Sequence, residues 1–305
     1  MKLRTIDAEY LHPQLAASYL RVQDGEAAFI ETNTAKAVPR LLRALEEEGL
    51  SREQVRWIVV THVHLDHAGG AAALLASCPN ATLVAHPRAA RHLVDPSRLV
   101  ASATQVYGED VFAEMYGSID PVPESRVRIA EDGDSIELGS AILRFLHTRG
   151  HANHHFVVHD PSYSTVFTGD TFGLVYPRLQ RGGRLAFAST SPTDFDAAEA
   201  RRSIDRVLDL HTRSVCLTHF GEYEDRERIA VQLRNWIDRS ERLVEEALGL
   251  APDDAERHIR AGLERLLYEA ARAASVQLLP EDRELLELDL SLNTQGLAWV
   301  AAKRR

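Results

Sequence analysis

The residues with the clearest chemical potential form the segment Thr61-His62-Val63-His64-Leu65-Asp66-His67. Three imidazoles and a carboxylate within six residues offer nitrogen and oxygen ligands that suit Zn, Mn or Fe. The segment follows the apolar run 55–60 and precedes Gly69-Gly70, which predicts a position between a buried strand and a helix. A solvated, histidine-rich turn is the alternative, but this spacing arises rarely by chance. The segment therefore predicts a metal site.

Other candidate ligands also follow apolar runs that are typical of strands. Strand ends are where α/β folds place functional groups. A lone histidine there is usually structural, but several of them beside a dense cluster favour one shared site. The four segments are Ala85-His86, Gly150-His151-Ala152-Asn153-His154-His155, Phe167-Thr168-Gly169-Asp170 and Leu217-Thr218-His219.

The elements that must position these groups can be predicted from turn residues and hydrophobic periodicity. Asp24-Gly25 between two apolar runs predicts a β-hairpin, and a helix over 38–48 ends at Gly49. A second set of strands is predicted from Arg126 onward, followed by a helix over 195–208 and a strand over 214–217. Several strands followed by helices in each half indicate an α/β fold with mixed sheets.

After Gly221 the pattern becomes helical. Two long amphipathic helices are predicted on either side of Pro252, and a third is predicted over 297–303. We therefore predict a domain over 1–221 that holds the candidate ligands and a helical extension over 222–305. The segment Leu290–Gly296 is expected either to cap a helix or to fold back toward the site. Apolar helix faces in this region would also suit a homodimer.

Composition narrows the classes of function. The 305 residues carry 35 basic and 45 acidic side chains, so the net charge of −10 disfavours nucleic acid as a partner. The chain begins without the apolar core of a secretory signal, and its longest weakly polar stretch is too short to cross a bilayer. Cys78 and Cys216 lack a neighbouring His/Asp arrangement that would make either a nucleophile, and they fit a reducing compartment. We expect a cytoplasmic protein with a small-molecule substrate and no membrane association.

Taken in order, the ligand segments resemble those of the metallo-β-lactamase superfamily, in particular its glyoxalase-II-like hydrolases. The resemblance covers about residues 10–221 and implies an αββα sandwich with a metal site at one edge of two sheets. It also implies two divalent ions, of which Zn is the first expectation and Fe or Mn the alternatives. Carried over to this chain, the first ion would take His62, His64 and His151, the second Asp66, His67 and His219, and Asp170 would bridge both.

The same resemblance implies a metal-bridging hydroxide that hydrolyses a small ester, thioester or lactone. Asp66 would orient this nucleophile. Tyr176 is a second catalytic candidate, since a tyrosine donates a proton to the leaving group in some lactonases of the superfamily. The expected activity is therefore that of a thioesterase, esterase or lactonase.

The chain departs from the glyoxalase II pattern in two places. It has G-H-A-N-H-H where that family has G-H-T-x-G-H, which leaves His154 and His155 either as supports for the metal ligands or as catalytic groups. The family's Gly-Cys-Gly-Arg segment is replaced by a long loop over 171–194, which is expected to form a wall of the substrate site. Its Arg178, Arg181 and Arg184 are either ligands for a substrate anion or solvated surface charges.

Two other classes of function remain open at this point. The superfamily includes mononuclear iron persulfide dioxygenases, which share the residue types of the first site, and di-iron redox proteins, which generally have Glu where this chain has His64. It also includes regulatory proteins with weak hydrolase activity, although a full set of seven ligands disfavours an inactive site. A hydrolase is the leading prediction.

Overall fold

The computed structural model describes residues 1–190 and 193–305, without the side chains of Val106 and Tyr107. Ser191 and Pro192, which belong to the predicted substrate loop, lie outside the described residues. The strands are β1 (Lys2–Asp7), β2 (Ala17–Gln23), β3 (Glu26–Ile30), β4 (Val55–Val59), β5 (Thr82–Ala85), β6 (Val127–Ile129), β7 (Ser135–Leu138), β8 (Ala141–His147), β9 (Phe156–Asp160), β10 (Thr165–Phe167), β11 (Ser214–Leu217) and β12 (Gly221–Tyr223). The helices are α1 (Val38–Glu47), α2 (Leu65–Ala68), α3 (Ala71–Ser77), α4 (Pro87–Val94), α5 (Ser97–Tyr107), α6 (Glu109–Tyr116), α7 (Ala197–Leu208), α8 (Arg226–Ala247), α9 (Pro252–Ala273) and α10 (Asp282–Arg304).

These strands form two mixed six-stranded sheets, as predicted. The first has the order β1-β2-β3-β4-β5-β6, antiparallel as far as β3 and parallel from there on. The second has the order β12-β11-β10-β9-β8-β7. The predicted hairpin joins β2 to β3, and its Asp24 and Gly25 both have positive φ, as a tight turn with the right twist requires.

The core follows from the alternation of side chains along each strand. Tyr19 and Ile30 of the first sheet pack with Phe145, Phe156 and Phe167 of the second, so one hydrophobic core fills the space between the sheets. The intervening residues of the first sheet point the other way, toward a second core that is closed by three helices. This second core includes Phe29, Ile58 and Leu83 from the strands and Leu41, Leu45, Leu74 and Ala89 from α1, α3 and α4.

The backbone contacts divide the chain into two compact units. The first comprises residues 1–147, 154–169 and 212–222, and the second comprises 148–153, 170–211 and 223–305. The second unit thus takes in the predicted helical extension together with two segments from the middle of the chain. The functional boundary between 221 and 222 stays a prediction. Within the described residues, no helix is long and apolar enough to cross a bilayer.

The second unit contains three long helices. α8 buries an apolar stripe at helical spacing, and α9 begins at Pro252, both as predicted. The prediction of a separate helix over 297–303 is wrong, because α10 runs without a break from Asp282 to Arg304. Polar Ser, Asn and Thr and the glycine within 290–296 disfavour a helix locally. Burial of Asn293 and Thr294 in this unit outweighs that tendency.

Candidate metal centre

The segment from the end of β4 through α2 carries four of the predicted ligands. His62 is fully buried just beyond β4, and His64 precedes the single helical turn of α2. The carbonyl of His64 accepts the backbone N–H of His67 at 3.0 Å, and this turn places Asp66 and His67 side by side. His62 Nε2 and His64 Nδ1 are 2.9 Å apart, so the two imidazoles already face each other with nitrogen atoms.

A second group in the same unit brings together Asp66, His67 and His219. Their ligand atoms all lie within 4.8 Å of one another. Asp66 Oδ2 is 3.6 Å from His67 Nε2 and 3.3 Å from His219 Nε2. Two imidazoles and one carboxylate around a common point are a donor set for Zn, Fe or Mn, so the residues fit a divalent ion.

The buried carboxylate of Glu31, which the sequence analysis missed, orients His67. Glu31 is 1% exposed and its Oε1 lies 3.3 Å from His67 Nδ1. The same oxygen accepts hydrogen bonds from the hydroxyls of Thr61 and Thr218. A negative charge on the Nδ1 side of the ring favours a proton on that nitrogen, which would leave Nε2 available as a ligand atom. The polar run Glu31-Thr32-Asn33-Thr34 directly after β3 was the available signal.

The backbone after β3 also fastens α2 in place. The N–H of Thr32 donates to the carbonyl of His67 at 2.9 Å, and the side chain of Asn33 donates to the carbonyl of Asp66 at 2.8 Å. A Cβ on Gly70 would collide with the carbonyls of Thr32 and Thr34, so a side chain there would push α2 and α3 away from this segment.

A backbone carbonyl orients His219 in the same way. Nδ1 of His219 lies 2.8 Å from the carbonyl oxygen of Leu15 and donates to it, which directs Nε2 toward Asp66. The two imidazoles of this group therefore present the same nitrogen, each fixed by an oxygen at the other side of its ring.

His154 and His155 surround His62. His155 is fully buried with its ring centroid 4.9 Å from that of His62, and the ring of His154 lies parallel to it at 6.1 Å. Gly169 has a φ of 49°, and a Cβ there would collide with His155 and Thr61. This placement favours a supporting role for both histidines, which is the first of the two roles that the sequence left open.

The other two predicted ligands, His151 and Asp170, lie in the second unit. His151 Nε2 is 3.4 Å from Asp170 Oδ2. Gly150 lies against Ala200 of α7 with a φ of 120°, a close approach that a side chain would prevent. The carbonyl of Gly150 accepts the N–H of Asp196 at 2.9 Å, so the loop that carries His151 is anchored at the start of α7.

The predicted substrate loop is tied to the helices of its own unit. Tyr176 is 3% exposed, and its hydroxyl donates to Asp289 of α10 at 3.2 Å. Arg178 and Arg181 pair with the buried carboxylate of Asp282, and Arg184 pairs with Asp225 at 3.0 Å. These ion pairs favour a structural role for the three arginines over the binding of a substrate anion.

His86, the least clear of the strand-end candidates, and the two cysteines belong to none of the groups of described residues that could hold a metal ion. His86 precedes α4, and its Nδ1 accepts the backbone N–H of Arg88 at 3.0 Å. Burial, with smaller contributions from the neighbouring His147 and His154, lowers the pKa of His86 to about 3. Burial raises the pKa of the Cys78 thiol to about 11 and that of Cys216 higher still, so neither is a ready nucleophile.

Comparison with known proteins agrees with this geometry. The sequence profile of the Metallo-beta-lactamase superfamily matches residues 13–219. The chain is 26% identical over 173 residues to the metallo-beta-lactamase fold-containing protein ST1585 of Sulfurisphaera tokodaii, which covers 55% of this chain and 62% of that protein. It is 29% identical over 214 residues to a hydroxyacylglutathione hydrolase of Maricaulis maris, covering 69% of this chain and 64% of the relative. The chain therefore spans less than two thirds of these curated relatives.

Solved structures show the same fold. The crystal structure of ST1585 has a TM-score of 0.67 and covers 97% of both chains at 21% identity. That of the metallo-beta-lactamase family protein TTHA1429 from Thermus thermophilus has a TM-score of 0.65, covering 99% of this chain and 93% of its own at 21% identity. The two sheets, the order of the ligand segments and the profile match define one class of protein. This chain belongs to the metallo-β-lactamase superfamily.

Proposed function

We propose that the protein is a dinuclear metallohydrolase that acts on a small ester, thioester or lactone. The observation that carries this proposal is the group formed by Asp66, His67 and His219, whose imidazoles are both pre-oriented with Nε2 inward. The other site of the pair would use His62, His64 and His151, with Asp170 as the bridge. These residues are assigned from the ligand segments of the superfamily, which this chain carries in order.

Two divalent ions, Zn in the first place, would supply Lewis acidity and a water of lowered pKa at this centre. The protein's part is to hold its ligands in the correct tautomer and position. The Leu15 carbonyl does this for His219 by accepting its Nδ1 proton, and the Glu31 carboxylate lies at ion-pair distance, 3.3 Å, from Nδ1 of His67. Asp66 is proposed to accept a hydrogen bond from the attacking water, which would align the lone pair of that water with the substrate carbonyl.

Tyr176 is proposed to supply a proton to the leaving group. Its hydroxyl already points along a hydrogen bond to Asp289, and its ring packs edge-on against Phe187 at 5.9 Å. A phenol fixed by packing and one hydrogen bond has little rotational freedom to lose when a substrate arrives. An alkoxide or thiolate leaving group would then depart as the neutral alcohol or thiol.

The proposed substrate class is based on the resemblance of this chain to related hydrolases, not on the shape of a substrate pocket. The hydroxyacylglutathione hydrolase of Maricaulis maris supports the cleavage of an ester-like bond by a related chain. The loop after Asp170 lacks the Gly-Cys-Gly-Arg segment of glyoxalase II, which weakens the case for a glutathione thioester in particular. We therefore keep lactones and simple esters beside thioesters as candidate substrates.

The test is to measure metal content and hydrolysis together in the wild type, His62→Ala and Asp170→Ala. Protein purified without added metals or chelators should contain about two Zn per chain by elemental mass spectrometry and hydrolyse members of an ester, thioester and lactone panel. Both variants should lose metal and activity in parallel, because each removes a ligand. His258→Ala is the matched control, since His258 pairs with Glu246 on the surface of the second unit.

Two results would contradict the proposal. Full activity in an Asp170→Ala protein that holds no metal would show that the ligands are assigned wrongly. A wild-type protein with about one iron per chain and no hydrolysis would instead favour persulfide or oxygen chemistry. Circular dichroism of each variant separates the loss of a ligand from the loss of the fold.

A further inference from the structure

On helix α10, Asn293 is hydrogen-bonded to the segment 188–190. This residue is 3% exposed. Its Oδ1 accepts the backbone N–H of Thr190 at 2.6 Å, and its Nδ2 donates to the carbonyl of Ala188 at 3.3 Å. The Thr190 hydroxyl returns a hydrogen bond to the carbonyl of Asn293 at 3.3 Å. Three hydrogen bonds in a buried setting fix both peptide units that flank Ser189.

Ser189 in turn faces a predicted metal ligand. Its carbonyl oxygen is 3.5 Å from Nδ1 of His151, at the long end of hydrogen bonding, while Nε2 of His151 faces Asp170 at 3.4 Å. This is the same arrangement as at His219, where the Leu15 carbonyl takes the Nδ1 proton. The carbonyl that orients His151 is thus held from both sides by Asn293.

The rest of the loop around His151 is fastened to other parts of the unit. The hydroxyl of Ser203 donates to the carbonyl of Arg149 at 2.6 Å, and Asp194 accepts the N–H of Asn153 at 3.0 Å. These bonds hold the backbone on either side of His151. The Ser189 carbonyl contacts Nδ1 of the imidazole ring, so the segment that Asn293 holds contributes to the orientation of that ring.

We propose that Asn293 is a positioning residue for the metal ligand His151, which makes helix α10 a working part of the metal centre. The inference rests on the proposed function in that it takes His151 as a ligand. The contacts that support it run from Asn293 of α10 to the segment 188–190, and from the Ser189 carbonyl of that segment to Nδ1 of His151. Without Asn293 the Ser189 carbonyl would be free to turn, and the imidazole would lose the acceptor that fixes its tautomer.

The experiment compares Asn293→Ala with Thr294→Ala in the full chain. Thr294 is the matched control, because it is equally buried on the same helix and its hydroxyl bonds to the carbonyl of Leu290 within α10. Zinc affinity is measured by competition with a chromophoric chelator. Mutating a partner of a metal ligand typically lowers metal affinity by a factor of about 10 to 100. We therefore expect Asn293→Ala to lower the zinc affinity of the site that includes His151 by at least about tenfold. Thr294→Ala should stay within about twofold of the wild type, a range too small to reflect a lost ligand partner.

A second readout needs no metal. Long-range ¹H–¹⁵N spectra of the metal-free protein report the tautomer of each histidine, and His151 should carry its proton on Nδ1 in the wild type and in Thr294→Ala. In Asn293→Ala its signals should shift to a mixture of tautomers. If zinc affinity and the His151 signals are unchanged in Asn293→Ala, or if both variants lose them equally, the inference is wrong. Failure of the wild type to hydrolyse any substrate would count against the proposed function and leave this comparison valid.

Discussion

Replacing Glu31 by glutamine should weaken metal binding without unfolding the protein. The change keeps the size of the side chain but removes the negative charge that lies 3.3 Å from His67 Nδ1. A carboxylate beside the imidazole of a metal ligand raises the basicity of that imidazole, and mutation of such a partner typically lowers metal affinity by about tenfold to a hundredfold. We therefore expect metal affinity to fall about tenfold to a hundredfold, which corresponds to about 1.4–2.7 kcal/mol.

The measurement is zinc affinity by chelator competition, together with urea unfolding of the metal-free protein. Glu222→Gln serves as the control, because that carboxylate also accepts a hydroxyl hydrogen bond, from Ser214 at 2.6 Å, and pairs with Arg213. The unfolding free energy of metal-free Glu31→Gln should not fall in parallel, since a buried charge is replaced by a neutral group of similar volume. Unchanged zinc affinity in Glu31→Gln would refute the role assigned to this carboxylate.

Two further predictions concern His86 and Tyr176. Because the folded-state pKa of His86 is about 3 against 6.5 for an ordinary histidine, its contribution to stability is present above pH 6.5 and is lost as the pH falls toward 3. His86→Asn keeps an acceptor for the Arg88 N–H, so its unfolding free energy in urea should fall less between pH 7 and pH 5 than that of the wild type; equal losses would contradict this. Tyr176→Phe should lower kcat about a hundredfold for alkyl esters or lactones but much less for p-nitrophenyl esters, whose leaving group needs no proton. Equal losses on both substrate classes, or none, would remove Tyr176 from the proposed mechanism.

Much of the fold could be predicted from local signals. The hairpin at Asp24-Gly25 and the start of α9 at Pro252 depend on backbone conformations that these residue types favour on their own. The α/β class and the two mixed sheets follow from apolar runs that alternate with turns. The break predicted within α10 failed because Asn293 is buried by neighbours that are distant in sequence.

The candidate ligands were recognisable in the sequence as residue types, but the atoms that orient them were not. A backbone carbonyl such as that of Leu15 carries no signature in its own residue type, and it reaches His219 across 204 positions of the chain. Glu31 is separated from His67 by 36 positions and lies in a segment without a metal-binding spacing. Such partners become visible only when the tertiary contacts are known.

The second unit is assembled from three separate stretches of the chain, so it cannot be completed until the last of them has been translated. His151 precedes Asn293 by 142 positions, which ribosomes translate in about 7–28 s at ordinary rates of 5–20 residues per second. During that interval most strands of the first unit have already been translated. The helices that complete the second unit, to which His151 and Asp170 belong, have not. Five of the seven proposed ligands belong to the first unit and two, His151 and Asp170, to the second, so the larger group can become ordered first. Loading of the proposed metal centre would therefore follow the synthesis of α10.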